Sequence, residues 1–236
     1  MAKRIIAFDL DGTLVDTAPD LIGVLNAVLG ERGIPPIDYG EARAMIGGGV
    51  KPLLERALAA QGVAFTPEDL GRLFAVYLDR YAAEIADRSR PFPGLEQALD
   101  GLAAQGFGFA VCTNKLEWLA VKLLDALGLA GRFGAICGQD TFGVPKPDPE
   151  MFRKTIRRAG GDPAEALMVG DSRTDVDTAR AAGVPVIAVD FGYTETPVAL
   201  LAPDRVISHF DQLSGAIDEL LEPGGPRAAR VQRGVP

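Results

Sequence analysis

The chain has one histidine, two cysteines and no apolar run long enough to cross a membrane. Each shortage removes a class of function. A lone histidine, His209, excludes a His-rich zinc site and reads as a surface residue. Cys112 and Cys137 both fall in apolar runs and read as buried thiols rather than a disulfide. Positive charge is also short: 24 Lys and Arg stand against 32 Asp and Glu, a net charge of −8. That balance argues against a nucleic-acid partner. Met1 to Arg4 is short and charged, and the apolar run after it stops at Asp9, so no signal peptide is expected. A soluble, cytoplasmic protein without a membrane partner is expected. No internal repeat is visible.

What is present is a recurring unit: a short apolar run followed by a Gly or polar turn. Ile5-Ile6-Ala7-Phe8, Phe107 to Val111, Gly134 to Cys137, Ala166 to Val169, Pro185 to Val189 and Arg205 to Ile207 read as buried strands. After Pro93 they alternate with helical patterns such as Leu95-Ala98-Leu99-Leu102 and Leu119-Leu123-Leu124-Leu127. The alternation predicts an α/β fold, a parallel sheet with helices on both faces. Residues 16–90 differ. They carry three apolar stripes of helical period, Leu21 to Leu29, Val50 to Leu58 and Leu70 to Tyr81, and little strand signal. Thr66 reads as the N-cap of the third, with Pro67 in its first turn. The last residues, 222–236, lack periodicity and are expected to form a mobile tail.

The acidic residues follow the strands. Asp9-Leu10-Asp11-Gly12-Thr13 comes directly after the first one. Residues two apart on an extended backbone face the same side, so Asp9 and Asp11 converge on one spot. Two carboxylates held together repel, and a hard divalent cation such as Mg²⁺ relieves the repulsion. Gly170-Asp171-Ser172-Arg173-Thr174-Asp175 repeats the arrangement at a strand-to-helix junction, with Asp175 one helical turn beyond Asp171. Capping of the helix by acidic residues is the alternative there. Thr113 and Asn114 end a third strand and offer a hydroxyl, an amide and backbone N–H groups to an anion. Lys146 sits between Pro145 and Pro147 on a stiffened loop.

These four sites, in this order, resemble the haloacid dehalogenase superfamily, whose members are mostly Mg²⁺-dependent phosphatases. The resemblance implies a Rossmann-like core (residues 1–15 and 91–221) and a small all-helical cap of the C1 type (16–90). It implies Asp9 as nucleophile and Asp11 as general acid and base. It also implies metal ligation by Asp9, Asp11 (through its carbonyl) and Asp171, with Asp175 behind them, and phosphate binding by Thr113, Asn114 and Lys146. The chemistry agrees with these roles, because phosphate repels a carboxylate nucleophile unless cations offset the charge.

Specificity is expected from the cap. Gly47-Gly48-Gly49-Val50-Lys51 begins its second long helix, where free N–H groups and the Lys51 cation suit a small anion. A tight turn between helices is the alternative reading of the glycines. With Lys115 after Thr113-Asn114, the pattern is most similar to the phosphoglycolate phosphatases of the superfamily. The partner implied is a small phosphorylated metabolite, and the expected assembly a monomer or homodimer. A sugar phosphatase, a pyrophosphatase and a phosphosugar mutase remain open at this point. A dehalogenase would need neither Asp11 nor a metal. A non-catalytic phosphate-binding protein would be expected to lack Asp9 or Asp11.

Overall fold

A computed structural model describes residues 3–194 and 196–221, so the expected tail at 222–236 lies outside the described residues. Among the described residues, six strands form one sheet: β1 (Ile5–Phe8), β4 (Gly108–Cys112), β5 (Ala135–Cys137), β6 (Leu167–Gly170), β7 (Val186–Val189) and β8 (Arg205–Ile207). Their order is β5-β4-β1-β6-β7-β8, and every neighbouring pair is parallel. The expected α/β class is what the chain adopts. β1 is central because all four of its residues are apolar and both its faces are covered.

The pleat divides those faces. Ile6 and Phe8 point into one apolar cluster and Ile5 and Ala7 into another. Helices α7 (Pro149–Arg158) and α8 (Arg173–Ala182) cover the second face through Met151, Phe152, Ile156, Val176 and Ala179. Helices α5 (Leu95–Ala104), α6 (Glu117–Ala126) and α9 (Leu213–Leu221) cover the first. A fully buried side chain such as Phe8 contributes about 1.5–3 kcal/mol relative to exposure.

The helical stripes form α1 (Ala18–Gly30), α3 (Val50–Ala60) and α4 (Pro67–Ala83), joined by a short α2 (Tyr39–Ala44). Thr66 caps α4 by a reciprocal bond pair with Asp69. Leu21, Leu25, Leu54, Leu73 and Tyr77 belong to the same continuous cluster as Ile6 and Phe8. The chain leaves the sheet for these helices and returns through a two-stranded antiparallel pair, β2 (Val15–Asp16) with β3 (Arg90–Pro91). Sequence periodicity does not anticipate this pair, since two residues are too few to show a period.

Both crossings are pinned. Asp20 in the first turn of α1 accepts bonds from Ser89 N and Oγ (2.7 and 2.6 Å) and from the Arg88 backbone. Burial pushes the Asp20 carboxyl up, but these donors outweigh it and hold it below the usual range.

Candidate active site

The site sits at the carboxyl ends of β1, β4, β5 and β6, where the strand order reverses about β1. Asp9 follows β1 directly. Gly12, at φ +85°, turns the chain back so that the amides of Leu14 and Val15 both bond the Leu10 carbonyl. This tight loop leaves Asp9 buried and Asp11 half-buried beside one pocket. Asp9, Asp11, Thr113, Asn114 and Lys115 line it from the sheet side, with Gln139 after β5. Gly47, Gly49, Val50, Leu53 and Phe74 line it from the helical side.

Behind Asp9 lies a charged cluster. Lys146 is buried, with Nζ 2.9 Å from Asp9 Oδ1 and 2.6 Å from Asp175 Oδ1. Burial alone would lower the lysine's pKa, but Asp175 and Asp9 raise it above its ordinary value, so the ammonium stays charged. Asn114 holds the Lys146 loop reciprocally: its Nδ2 donates to the Lys146 carbonyl and its Oδ1 accepts from the Lys146 amide (3.1 and 2.9 Å). The Asn114 amide is therefore occupied in placing Lys146. Thr113 is buried, and its Oγ1 accepts from the Lys115 amide.

Asp175 Oδ2 accepts from the amides of Asp171 and Ser172 and from Ser172 Oγ, so it both braces the β6–α8 turn and faces Lys146. Asp171 Oδ1 accepts from Thr13 Oγ1 at 2.8 Å and Oδ2 from the Tyr193 amide at 2.7 Å. Burial raises the Asp9 carboxyl to about 6, with Lys146 opposing. Burial, then Asp175 and Asp9, raise Asp171 to about 8. Carboxylate oxygens of Asp9, Asp171 and Asp175 lie within 4.8 Å of one another. Asp9 Oδ1 is buried, with the Lys146 ammonium 2.9 Å away. An all-oxygen set of carboxylates that repel one another fits a hard divalent cation such as Mg²⁺.

The second cation, Lys115, is also buried. Its Nζ lies 2.9 Å from Asp11 Oδ1 and donates to Tyr81 Oη at 2.9 Å. Lys51, in contrast, is exposed on the first turn of α3, and neither it nor Gly48 lines the pocket. Gly47 and Gly49 do line it, both at positive φ, and a Cβ on Gly49 would crowd the Asn114 carbonyl and the Gln139 amide.

The sequence profile of the haloacid dehalogenase-like hydrolases matches residues 6–189. The chain belongs to that family. It is 48% identical over 221 residues to a phosphoglycolate phosphatase of Mesorhizobium japonicum, covering 94% of this chain and 97% of the relative. It is 46% identical over 216 residues to a phosphoglycolate phosphatase of Caulobacter vibrioides, covering 92% and 91%. Among solved structures it is similar to one described as a predicted phosphoglycolate phosphatase from Haemophilus somnus. That likeness has a TM-score of 0.85 at 29% identity, over 91% of this chain and 98% of the other.

Membership of this hydrolase family accounts for the carboxylates at the strand ends. Three contacts in the site had no role in the sequence reading. Thr13 closes the first motif and bonds Asp171; Gln139 stands two residues past the end of β5; Tyr81 belongs to an apolar stripe, yet its hydroxyl accepts from Lys115. The signal for Gln139 was its place just past a parallel strand, the same place that marks Asp9 and Thr113. Outside the site, His209 is exposed and both cysteines are buried, with burial pushing the Cys112 thiol up to about 12. Among the described residues no helix is long and apolar enough to cross a membrane.

Proposed function

We propose that the chain is a Mg²⁺-dependent phosphomonoesterase that releases phosphate from 2-phosphoglycolate through an aspartyl-phosphate on Asp9. The observation that carries this reading is the placement of Asp9, between the Lys146 ammonium and a pocket that also holds Asp11, Thr113 and Lys115. Asp9, the Asp11 carbonyl and Asp171 would hold Mg²⁺, and Asp175 braces Asp171 and Lys146. When bound, the ion supplies positive charge at the phosphoryl oxygens and orients them.

The residues of the chain do the rest. An Asp9 carboxylate oxygen forms a bond to phosphorus as the ester P–O bond breaks. The Asp11 carboxyl gives its proton to the leaving alkoxide oxygen. Asp11 then takes a proton from water, whose oxygen attacks phosphorus, and the bond from phosphorus to Asp9 breaks. Thr113 and Lys146 offset charge on the transferring group, and Asn114 fixes the Lys146 loop. Residues 16–90 serve as the cap over the pocket.

The substrate reading draws on the names of the relatives and on the buried Lys115. Phosphoglycolate carries a carboxylate beside its phosphoester, and Lys115 offers that carboxylate a cation inside the pocket. The Gly47 and Gly49 turn lies across from it, and Lys51, although exposed, adds positive charge to the same helix start. A phosphate-release assay over phosphoglycolate, sugar phosphates, pyrophosphate and p-nitrophenyl phosphate, with and without Mg²⁺, tests the proposal. Phosphoglycolate should have the highest kcat/KM. Equal turnover of p-nitrophenyl phosphate, which has no carboxylate, would mean that the substrate carboxylate plays no part in recognition.

A further inference from the structure

Helix α1 begins without a side-chain cap. Thr17 occupies the N-cap position, but its side chain makes no capping bond, and its buried Oγ1 has no partner. Asp20, three residues on, is turned away to Ser89 and Arg88. The first amides are satisfied from far along the chain: Tyr193 Oη accepts from Thr17 N at 2.6 Å and Ala18 N at 2.9 Å. The same hydroxyl donates to Asp16 Oδ1 at 2.6 Å. A phenol has one proton to give and two lone pairs to offer, so all its capacity is taken up at the crossing from sheet to helices.

The other end of Tyr193 faces the acidic cluster. Its amide donates to Asp171 Oδ2 at 2.7 Å, and a Cβ on the preceding Gly192 would overlap the Asp171 carboxylate. Arg43, in α2, stacks its guanidinium 4.9 Å from the Tyr193 ring centroid and donates to the Phe191 carbonyl. One buried residue thus touches the crossing through its side chain and Asp171 through its backbone, while α2 clamps the loop it stands on.

We propose that Tyr193 is a positioning residue that couples the chain crossing at residues 16–18 to the placement of the Asp171 carboxylate, with Arg43 holding its loop. This rests on the reading of Asp171 as a metal-holding residue. Thermodynamic coupling is reciprocal: if the crossing helps to set Asp171, an ion held by Asp171 must tighten the crossing.

Amide hydrogen exchange at Thr17 and Ala18, followed by NMR with and without saturating Mg²⁺, tests this in the wild-type protein. Coupling of ordinary size slows these amides on the order of tenfold when Mg²⁺ is added. In Tyr193→Phe, which keeps the ring and the amide bond to Asp171 but removes the hydroxyl, Mg²⁺ should leave their exchange unchanged. The Kd for Mg²⁺, measured by calorimetry, should rise by a similar factor. If Tyr193→Phe does not fold, Arg43→Ala takes its place and must reduce the protection by Mg²⁺. Mg²⁺ binding without protection of Thr17 and Ala18 in the wild type overturns the coupling alone, as does undiminished protection in the folded variant. A flat Mg²⁺ titration of the wild type overturns the metal reading of Asp171, and the coupling with it.

Discussion

Lys115 and Asp11, which both line the pocket, form a buried ion pair, Nζ to Oδ1 at 2.9 Å, with Tyr81 Oη also accepting from the lysine. On the proposed reading this is the cation that a substrate carboxylate in the pocket pairs with. Lys115→Ala should therefore lower kcat/KM for phosphoglycolate by about tenfold to a hundredfold, the value of one charge-assisted bond of about 1.5–3 kcal/mol. The loss should be smaller for p-nitrophenyl phosphate. Lys51→Ala, on an exposed side chain, should cost less than Lys115→Ala. A parallel loss on both substrates in Lys115→Ala would make the lysine a partner of Asp11 only.

Asp9→Asn should abolish turnover while the fold survives, since the change is nearly isosteric. Asp11→Asn should lose about 10²–10⁴-fold, the usual worth of general acid and base help. Steady-state phosphate release, with circular dichroism as the folding control, measures both. Substantial turnover in Asp9→Asn would end the aspartyl-phosphate mechanism.

Chelation should remove activity and Mg²⁺ should restore it, with Ca²⁺ a poor substitute because its looser shell places the attacking carboxylate differently. Asp171→Ala should weaken Mg²⁺ binding more than Asp175→Ala, whose oxygens are already engaged by Lys146 and by the turn at 171–172. Isothermal titration calorimetry on the two variants distinguishes them. Matching affinities would remove Asp171 from the ion.

Gly192→Ala should resemble a weakened Asp171 variant. Its new methyl group would press on the Asp171 carboxylate, which two donors hold in place. Mg²⁺ affinity should fall, and the overlap at this buried site should also lower stability by about 1–3 kcal/mol. Unaltered affinity would mean that the loop after β7 yields freely.

Asp20 gives a stability prediction with a defined sign. Its folded pKa is depressed, so its contribution is full above the ordinary value of 3.8 and is lost as pH falls through the folded pKa. Asp20→Asn should destabilise by about 1–3 kcal/mol at pH 7, and the gap to wild type should close in acid. Urea midpoints at pH 7 and in acid measure it. A gap that is constant with pH would assign the effect to packing.

The sheet was legible because each strand is a short apolar run closed by a turn, and a strand buried on both faces needs nothing else. The acidic motifs were legible because their carboxylates stand next to those turns. Helix α2 was not: its six residues bury only Ala42, too little to make a stripe. Which of the two candidate lysines lines the pocket was not legible. Lys51 and Lys115 both adjoin candidate anion sites in sequence, and only packing turns Lys115 inward against Tyr81 and leaves Lys51 in solvent. Tyr193 escaped for the same reason, because its partners Asp16, Thr17 and Ala18 lie about 175 residues away.

The strand order also sets a timetable for synthesis. β1 leaves the ribosome long before either of its neighbours, because β4 begins at Gly108 and β6 at Leu167. Until then Ile5 to Phe8 is an apolar segment with open edges, a template for pairing with the wrong chain. The helices that emerge next supply Leu21, Leu25 and Leu54 to the same apolar cluster as Ile6 and Phe8, so they can shelter one face of the strand in the interval. The helical segment that lines the finished pocket is therefore also placed, by its position in the gene, to guard the strand that leads into Asp9 while the sheet is still being made.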